Sequence, residues 1–222
     1  MKYRHFFFNF KMMKYSFFLL IFFLSGILSV AAQKNAASIN LFDGKTFNGW
    51  EGDTVHTWRI ANNVLTGGSL KDTVPHNEFL CTTQQFGDFE LNLQFKLTGT
   101  GFVNAGIQFH SQRLKDPSYE MIGYQADLGK DYWASLYDES RRNKTLAKPS
   151  DELVKKILKQ DQWNDYRIRS KGKRIQIWLN GVQTVDYTET DKAIPHTGFI
   201  ALQVHGGGMV EASYRNIKIT RL

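Results

Sequence analysis

Two neighbouring stretches of alternating sequence place polar side chains on one face of a predicted sheet. A period of two puts Gln108 and His110 on the same face, and in the next stretch it does the same for Gln125 and Asp127. The apolar residues between them would build a core on the opposite side. Two amides, an imidazole and a carboxylate together can bind sugar hydroxyls and transfer protons. The alternative is a merely solvated face, the usual result of alternation in antiparallel sheets.

A third predicted strand offers two more polar groups to the same concavity. Gln203 and His205 share a face, opposite the apolar residues that alternate with them. Glu120 is out of phase with the carboxylate of its own strand, and a bulge at Gly123 would bring it back into register.

A dense cluster of charged and aromatic residues, 131–142, follows the second of these stretches. It contains three aromatic residues, three acids and two arginines. We expect it to form a loop over the mouth of the concavity, with Tyr137, Glu139 and Arg141 directed at a ligand. The alternative is a surface loop whose charges pair with one another.

The N-terminal segment 1–32 has the pattern of a secretory signal peptide. Basic residues precede an apolar run, 17–30, and Ala31 and Ala32 supply the small residues that a signal peptidase requires. A transmembrane anchor is the alternative, but the run is short and small polar residues interrupt it. We therefore expect residues 33–222 to be a single secreted or periplasmic domain with no stable membrane anchor after cleavage.

Composition excludes several other classes of protein. The leader carries four basic and no acidic residues, so its removal lowers the net charge from +7 to +3. The remaining lysines and arginines are scattered and form no basic run interleaved with aromatic residues, so nucleic-acid binding is not indicated. Cys81 is the only cysteine, which excludes an intrachain disulfide. The length after cleavage suits one domain, and no Pro- or Ser-rich linker divides it.

Most of this domain is predicted to be β-strand. The clearest strand is 89–97, where Phe and Leu alternate with polar residues. Further strands are predicted at 58–60, 78–82, 165–169, 174–179, 182–187, 198–205 and 212–221. Asn180 and Gly181 predict a type I′ turn, which would join two of these strands in a tight hairpin. One short helix should begin at Ser150, with acids in its first turn and lysines near its end. Many short strands and one helix indicate an all-β antiparallel sandwich.

Seven blocks of sequence, taken in order, resemble the 3-keto-disaccharide hydrolase family. The blocks are LFDGKTFNGW at 41–50, WRIANNVL at 58–65, FGDFEL at 86–91, NAGI at 104–107, WN at 163–164, WLNG at 178–181 and YRNIKI at 214–219. The family is also described as 3-keto-glucoside 1,2-lyase and 3-keto-2-hydroxyglucal hydratase. The resemblance covers residues 39–222 and implies a concanavalin A-like or jelly-roll sandwich. It also implies export by glycan-degrading bacteria and action on sugars oxidised at C3.

The chemistry that the resemblance implies depends on the acidity of the hydrogen at C2, beside the C3 ketone. A base removes this hydrogen, a general acid assists departure of the C1 substituent, and water then adds to the enone. The candidate proton-transfer groups are Asp127, His110, Glu120, His205 and Glu139. The candidate substrate-binding groups are Gln108, Arg113, Gln125, Tyr137, Arg141, Trp163 and Gln203. The need for a cofactor stays open. A divalent metal, if used, would be held by one of the two histidines with Asp127 or Glu120.

Two other functions remain possible on the sequence alone. A retaining glycosidase would need two close carboxylates, and the Glu-x-Asp-x-x-Glu pattern of sandwich glucanases is absent. A non-catalytic carbohydrate-binding module of the lectin or laminin-G type would need only a sandwich with a polar and aromatic face.

Overall fold

The computed structural model describes residues 1–3 and 37–222, so nearly all of the predicted leader lies outside the described residues. The elements in chain order are β1 (Ser38–Asn40), β2 (Trp50–Glu51), β3 (Trp58–Ala61), β4 (Val64–Gly68), β5 (Glu78–Phe86), β6 (Phe89–Gly101), β7 (Asn104–Arg113), β8 (Met121–Gly129), β9 (Leu136–Glu139), β10 (Lys144–Ala147), α1 (Asp151–Ile157), β11 (Asn164–Lys171), β12 (Arg174–Leu179), β13 (Val182–Thr188), β14 (Gly198–Val204) and β15 (Gly208–Arg221). Among the described residues, no helix is long and apolar enough to cross a membrane.

The strands form two antiparallel sheets. An eight-stranded sheet has the order β13-β12-β11-β6-β15-β4-β3, with β1 paired to β15 as well. A seven-stranded sheet has the order β10-β9-β8-β7-β14-β5-β2. The all-β sandwich with one short helix, predicted from the alternating pattern, is confirmed.

The core lies between the two sheets and follows from strict alternation. In β6 the side chains of Phe89, Leu91 and Phe95 are buried, while the polar residues between them are partly exposed. Phe89 meets Phe109 of the other sheet edge to face, with ring centroids 6.0 Å apart. Aromatic pairs of this geometry add to the gain from burial alone, so they help to hold the two sheets together.

The predicted hairpin between β12 and β13 is present. Asn180 and Gly181 have φ angles of 49° and 83°, as a type I′ turn requires, and Leu179 pairs with Val182. The Asn180 side chain also donates to the Ile157 carbonyl oxygen at 2.7 Å, which ties the end of α1 to the turn.

The helix α1 begins where the sequence predicts. The Ser150 hydroxyl accepts a hydrogen bond from the Leu153 amide at 3.3 Å, which is the usual N-cap contact. Asp151 and Glu152 occupy the first turn, and Lys155 and Lys156 the last.

A bulge in β7 changes the course of the β7–β8 hairpin. Phe109 pairs with Tyr124, but the next pair joins Gln112 to Ile122, so β7 carries one extra residue. His110 lies in this bulge with φ of 47°. The bulge therefore sits on β7, opposite Gly123, and not within β8 as predicted.

Beyond the bulge, the end of the hairpin curls over the outer face of the seven-stranded sheet. We call residues 112–121 the hairpin tip. The Asn77 side-chain amide donates to the Glu120 carboxylate at 2.9 Å, and the Tyr119 ring stacks on His76 at a centroid distance of 4.0 Å. These contacts bring the tip against the chain that leads into β5.

Gly181→Ala should lower the free energy of unfolding by about 1–2 kcal/mol, because a Cβ is disfavoured at its left-handed φ. No neighbouring atom lies within 4 Å of the added methyl, so the cost is one of backbone conformation alone. Urea unfolding measures it. Gly87→Ala is the matched control, since the nearest atom to its new Cβ is 3.8 Å away and its φ lies outside the left-handed range. Equal stability of the two variants would contradict the assignment of the turn.

Candidate active site on the outer face of the seven-stranded sheet

With the exception of His110, the polar residues predicted to share a face lie on the side of the seven-stranded sheet that faces away from the core. Asp127 of β8 lies opposite Gly106 of β7, and Gly106 lies opposite Gln203 of β14. The next row along the strands pairs Gln125 with Gln108. Alternate residues of β8 point to opposite faces, so Asp127 and Gln125 project together from the sheet.

A small cavity of about 90 Å³ opens on this face. Its lining is formed by Phe102, Asn104, Gln125, Asp127, Tyr132, Tyr137, Glu139 and His205. Five of these residues were predicted as site residues: two from β8, two from β9 and His205 just after β14. The cavity therefore collects two carboxyl groups, two amides, an imidazole and two phenols.

Asp127 is the most deeply buried acid of the cavity, with only 3% of its surface exposed. Its Oδ1 accepts hydrogen bonds from the Asn104 side chain at 3.2 Å and from the Leu128 backbone amide at 2.9 Å. Burial raises the pKa of Asp127 to about 8, and the nearby negative charge of Glu139 acts in the same direction. Asp127 is therefore mostly protonated at pH 7 and can donate a proton.

Glu139 lies at the end of β9, opposite Gly123. Burial raises the pKa of Glu139 to about 7, and the charges of Glu120 and Asp138 add to this effect. Near neutral pH the Glu139 carboxyl group exists in both protonation states. It can serve as a base while Asp127 serves as an acid.

A chain of hydrogen bonds orients the amides of the cavity floor. The Ser111 hydroxyl donates to Gln108 Oε1 at 2.6 Å, and Gln108 Nε2 donates to Gln125 Oε1 at 3.1 Å. The Gln125 NH₂ group is thereby directed away from Gln108. A Cβ at Gly106 would lie 2.5 Å from Gln125 Cδ, so this conformation of Gln125 needs a glycine at position 106.

His205 lies at the edge of the cavity. Its Nδ1 is 2.7 Å from the Gly206 carbonyl oxygen, and its ring meets Phe102 edge to face at 4.7 Å. A ring nitrogen that contacts a carbonyl oxygen must carry the hydrogen, so Nδ1 is the donor of this hydrogen bond.

The predicted face of His110 is corrected. Its ring packs against Phe89 of the opposite sheet at 5.7 Å, and Nε2 is 3.0 Å from the Gly87 carbonyl oxygen. The period of two ends at the bulge, so the side chain turns toward the core and away from the cavity. Burial lowers the pKa of His110 to about 4, so the ring is neutral.

Arg141 is also placed away from the cavity. Its guanidinium group lies 4.7 Å over the Tyr124 ring and binds the buried Asp138 carboxylate at 2.7 Å. Tyr124 belongs to the core face of β8, so this ion pair lies behind the sheet. The self-paired alternative thus holds for the arginine of this segment, while Tyr137 and Glu139 face the cavity.

Trp163 lies against the other sheet. Its ring is covered by the Arg215 guanidinium group at 4.0 Å, with Lys96 at 5.6 Å, and both belong to the eight-stranded sheet. The prediction that Trp163 binds substrate in the cavity is therefore corrected, because its ring lies on the other sheet.

Four other predicted residues lie near the cavity without lining it. Arg113 and Glu120 belong to the hairpin tip, and Arg113 Nη2 is 3.5 Å from the Phe79 carbonyl oxygen. Gln108 and Gln203 are fully buried in the floor of the same face.

Asn104, Phe102 and Tyr132 line the cavity but were not predicted as site residues. Asn104 has the same parity as Gln108 in β7, so alternation alone could have identified it. Phe102 and Tyr132 lie in loops, where no periodic pattern indicates the direction of a side chain.

Within residues 1–3 and 37–222, no three His, Cys, Asp or Glu side chains are gathered in an arrangement that could hold a metal ion. The displacement of His110 removes one of the two histidines considered as ligands.

The fold is shared with β-sandwich proteins of known structure. A protein of Parabacteroides distasonis, provisionally described as a glycosyl hydrolase, superposes with a TM-score of 0.61 at 20% identity, over 84% of this chain and 94% of that chain. A carbohydrate-binding module of Bacillus subtilis gives 0.59 at 16% identity, over 78% and 95%. A Bacillus subtilis protein with a galectin-like fold gives 0.60 at 13% identity, over 83% and 94%. At these identities the likeness establishes the sandwich fold.

The family follows from the sequence match. Residues 37–220 match the model of the 3-keto-alpha-glucoside-1,2-lyase-like domain, and the chain belongs to this family. The 3-keto-disaccharide hydrolase of Bacteroides thetaiotaomicron is 27% identical over 230 residues, which is 82% of this chain and 77% of that protein. The resemblance drawn from the seven sequence blocks is confirmed.

Asp127→Asn should stabilise the protein increasingly as the pH rises from about 4 to about 8. In the unfolded chain Asp127 releases its proton near its ordinary pKa of 3.8, whereas the folded protein retains it up to a pKa of about 8. Between these values the folded state binds more protons, so wild-type stability falls with pH, and an amide abolishes this loss. Urea unfolding of both proteins at pH 5 and pH 8 measures the difference. A gap between them that does not widen with pH would refute the raised pKa.

Proposed function

We propose that the chain is an exported enzyme that cleaves 3-keto-glycosides, with Glu139 as the base and Asp127 as the acid. The observation that carries this proposal is that the half-buried Glu139 and the buried Asp127 share one cavity, with pKa values raised to about 7 and about 8. Raised carboxyl pKa values are a frequent mark of acid–base sites. Membership of the family supports the choice of substrate class.

The first step is removal of the hydrogen at C2. The C3 ketone acidifies this C–H bond, and the ionised Glu139 takes the proton while the bonding electrons form an enediolate. A base with a pKa near 7 is strong enough to act here and is ionised in a large fraction of molecules at neutral pH.

The second step is departure of the C1 substituent. The enediolate electrons re-form the C3 carbonyl and create a C1–C2 double bond as the C1–O bond breaks. The protonated Asp127 gives its proton to the leaving oxygen. The product is a 3-keto-2-hydroxyglucal, and the aglycone leaves as an alcohol.

Hydration completes the reaction. Water adds to C1 of the enone, and C2 regains a proton from Glu139, which holds the one it removed. Asp127, now ionised, accepts the proton that the water loses. The net change is hydrolysis of the glycosidic bond, and both carboxyl groups return to their starting states.

Three polar side chains of the cavity would hold the oxygens of the reacting sugar. The Asn104 and Gln125 amides and the His205 ring line the cavity beside Asp127. Hydrogen bonds from the two amides to the C2 and C3 oxygens would strengthen as negative charge develops there.

The export part of the proposal rests on the leader pattern of residues 1–32. Expression of the full chain in a bacterium should yield a processed protein that begins at Gln33 in the secreted or periplasmic fraction. Intact-mass measurement of that fraction checks the cleavage point. Recovery of the uncleaved chain from the membrane fraction would instead support an anchor.

Asp127→Asn and Glu139→Gln should each lower kcat on 3-keto-trehalose by about 100-fold or more, because each removes one proton-transfer group. Asp131→Asn is the matched control, since Asp131 is exposed in the adjoining loop and lies outside the cavity lining. The product is followed by NMR, with and without a chelator, to record elimination, hydration and any metal requirement.

The pH profile of kcat/KM should be a narrow bell with its maximum between pH 7 and pH 8. Activity rises as Glu139 loses its proton near pH 7 and falls as Asp127 loses its own near pH 8. The residual activity of Asp127→Asn should lack the alkaline limb. Turnover of both carboxyl variants at the wild-type rate would remove these residues from the mechanism.

Two outcomes would support other functions. Equal cleavage of trehalose and 3-keto-trehalose would indicate an ordinary glycosidase. Binding of either sugar with no turnover would indicate a non-catalytic carbohydrate-binding module.

A further inference from the structure

The Gln203 side chain is buried and has no hydrogen-bond partner. Its exposure is 0%, and both Oε1 and Nε2 lack a partner. Leu202 and Val204 on either side point into the core, so Gln203 projects from the outer face of the seven-stranded sheet. Burying an amide without hydrogen-bond partners costs free energy of folding. A ligand that hydrogen-bonds to this amide would recover the cost.

The hairpin tip covers the region around Gln203. Met121 packs with Phe79, Cys81 and Ala201 in a small apolar cluster that is separate from the main core. Phe79 lies opposite Gln203 in the neighbouring strand, and Ala201 is two residues along β14, so this cluster adjoins the amide directly.

The tip contacts the strands beneath it through few side chains. Four buried side chains form the apolar cluster, with the Asn77–Glu120 hydrogen bond and the His76–Tyr119 stack at its rim. The bulge at His110 and Gly123, with φ of 155°, lie where the tip leaves the sheet. Segments with few buried contacts open locally at a lower free energy than the whole domain.

Gln203 lies in the same row of the sheet as Asp127, on the far side of Gly106 and of the Gln125 side chain that packs over this glycine. Gly106 is the only residue between Asp127 and Gln203 in their row of the sheet, and it carries no side chain. Strands two apart are separated by about 10 Å, so one disaccharide can reach both residues.

We propose that Gln203 forms a second sugar-binding subsite, separated from the Asp127 cavity only by the Gln125 side chain, which becomes accessible when the hairpin tip lifts. Its ligand is the second ring of a neutral disaccharide: the amide supplies one donor and one acceptor for neighbouring hydroxyls, and Phe79 supplies an apolar surface for the ring. The identity of the ligand rests on the proposed 3-keto-glycoside function, whereas the opening of the tip does not.

Gln203→Met tests the role of the amide. Replacing an unpartnered buried amide with an apolar side chain of similar size should raise Tm by about 2–4 °C. The same change should raise KM for 3-keto-trehalose about tenfold through the loss of its hydrogen bonds to the sugar. Gln85→Met, at an exposed position of β5, is the matched control and should change neither. A lower Tm with an unchanged KM would show that Gln203 is satisfied by a buried water and would overturn the proposal.

Cys81 provides a direct measure of the opening. It is the only cysteine of the chain and is buried in the cluster that the tip covers. Iodoacetamide should modify Cys81 under native conditions faster than the rate of global unfolding, which is measured separately in urea. In Asp127→Asn, saturating 3-keto-trehalose should slow the modification, because the sugar would occupy the space above Cys81.

The two proposals fail in different ways. Modification of Cys81 only at the rate of global unfolding would overturn the subsite even if the enzyme cleaves 3-keto-trehalose. Rapid modification of Cys81 and a raised Tm of Gln203→Met would support the opening of the tip. If, in addition, 3-keto-trehalose neither slowed the modification in Asp127→Asn nor was cleaved by the wild-type protein, the assigned ligand and the proposed function would both be overturned.

Discussion

Exclusion of water from the Asp127 carboxyl group is the constraint on which the site depends. In water this group would be ionised at neutral pH, and it could not donate a proton. The sandwich changes this by placing Asp127 on a crowded sheet face with 3% exposure, beside the acid Glu139. The two sheets must be stable enough to bear the cost of the buried acid, and the continuous aromatic and aliphatic core between them provides that stability.

The proposed cleavage of 3-keto-glycosides suits a site with two weakly acidic carboxyl groups. An ordinary glycosidase must stabilise an oxocarbenium-like transition state and uses carboxylates to do so. In the reaction proposed here, a ketone beside the reacting carbon would supply the activation itself, so the protein would need only one base and one acid of moderate strength. Glu139 and Asp127, with raised pKa values, match this lesser demand. The related folds of carbohydrate-binding modules show that the sandwich by itself does not determine whether chemistry occurs.

Regular alternation made the fold and three residues of the cavity lining, Gln125, Asp127 and His205, predictable. Phe89 to Leu97, the Asn180–Gly181 turn and the Ser150 cap each follow from local rules, and all three are found where expected. Asp127 and Gln125 were placed correctly for the same reason. His110 was placed on the wrong face, because a single extra residue in β7 reverses the direction of every later side chain. No residue type in the sequence indicates this bulge. Trp163 and Arg141 lie in or beside loops, whose directions depend on contacts distant in the sequence.

The solitary thiol beneath the hairpin tip has a consequence for the lifetime of the protein. Burial raises the pKa of Cys81 to about 11, so the closed molecule holds it as an inert thiol. In an oxidising compartment, an exposed thiol would capture small disulfides or a second copy of the chain. Each lifting of the tip would expose the thiol to such reactions for a short time. The fraction of time that the tip is closed would therefore determine how slowly the Cys81 thiol is oxidised.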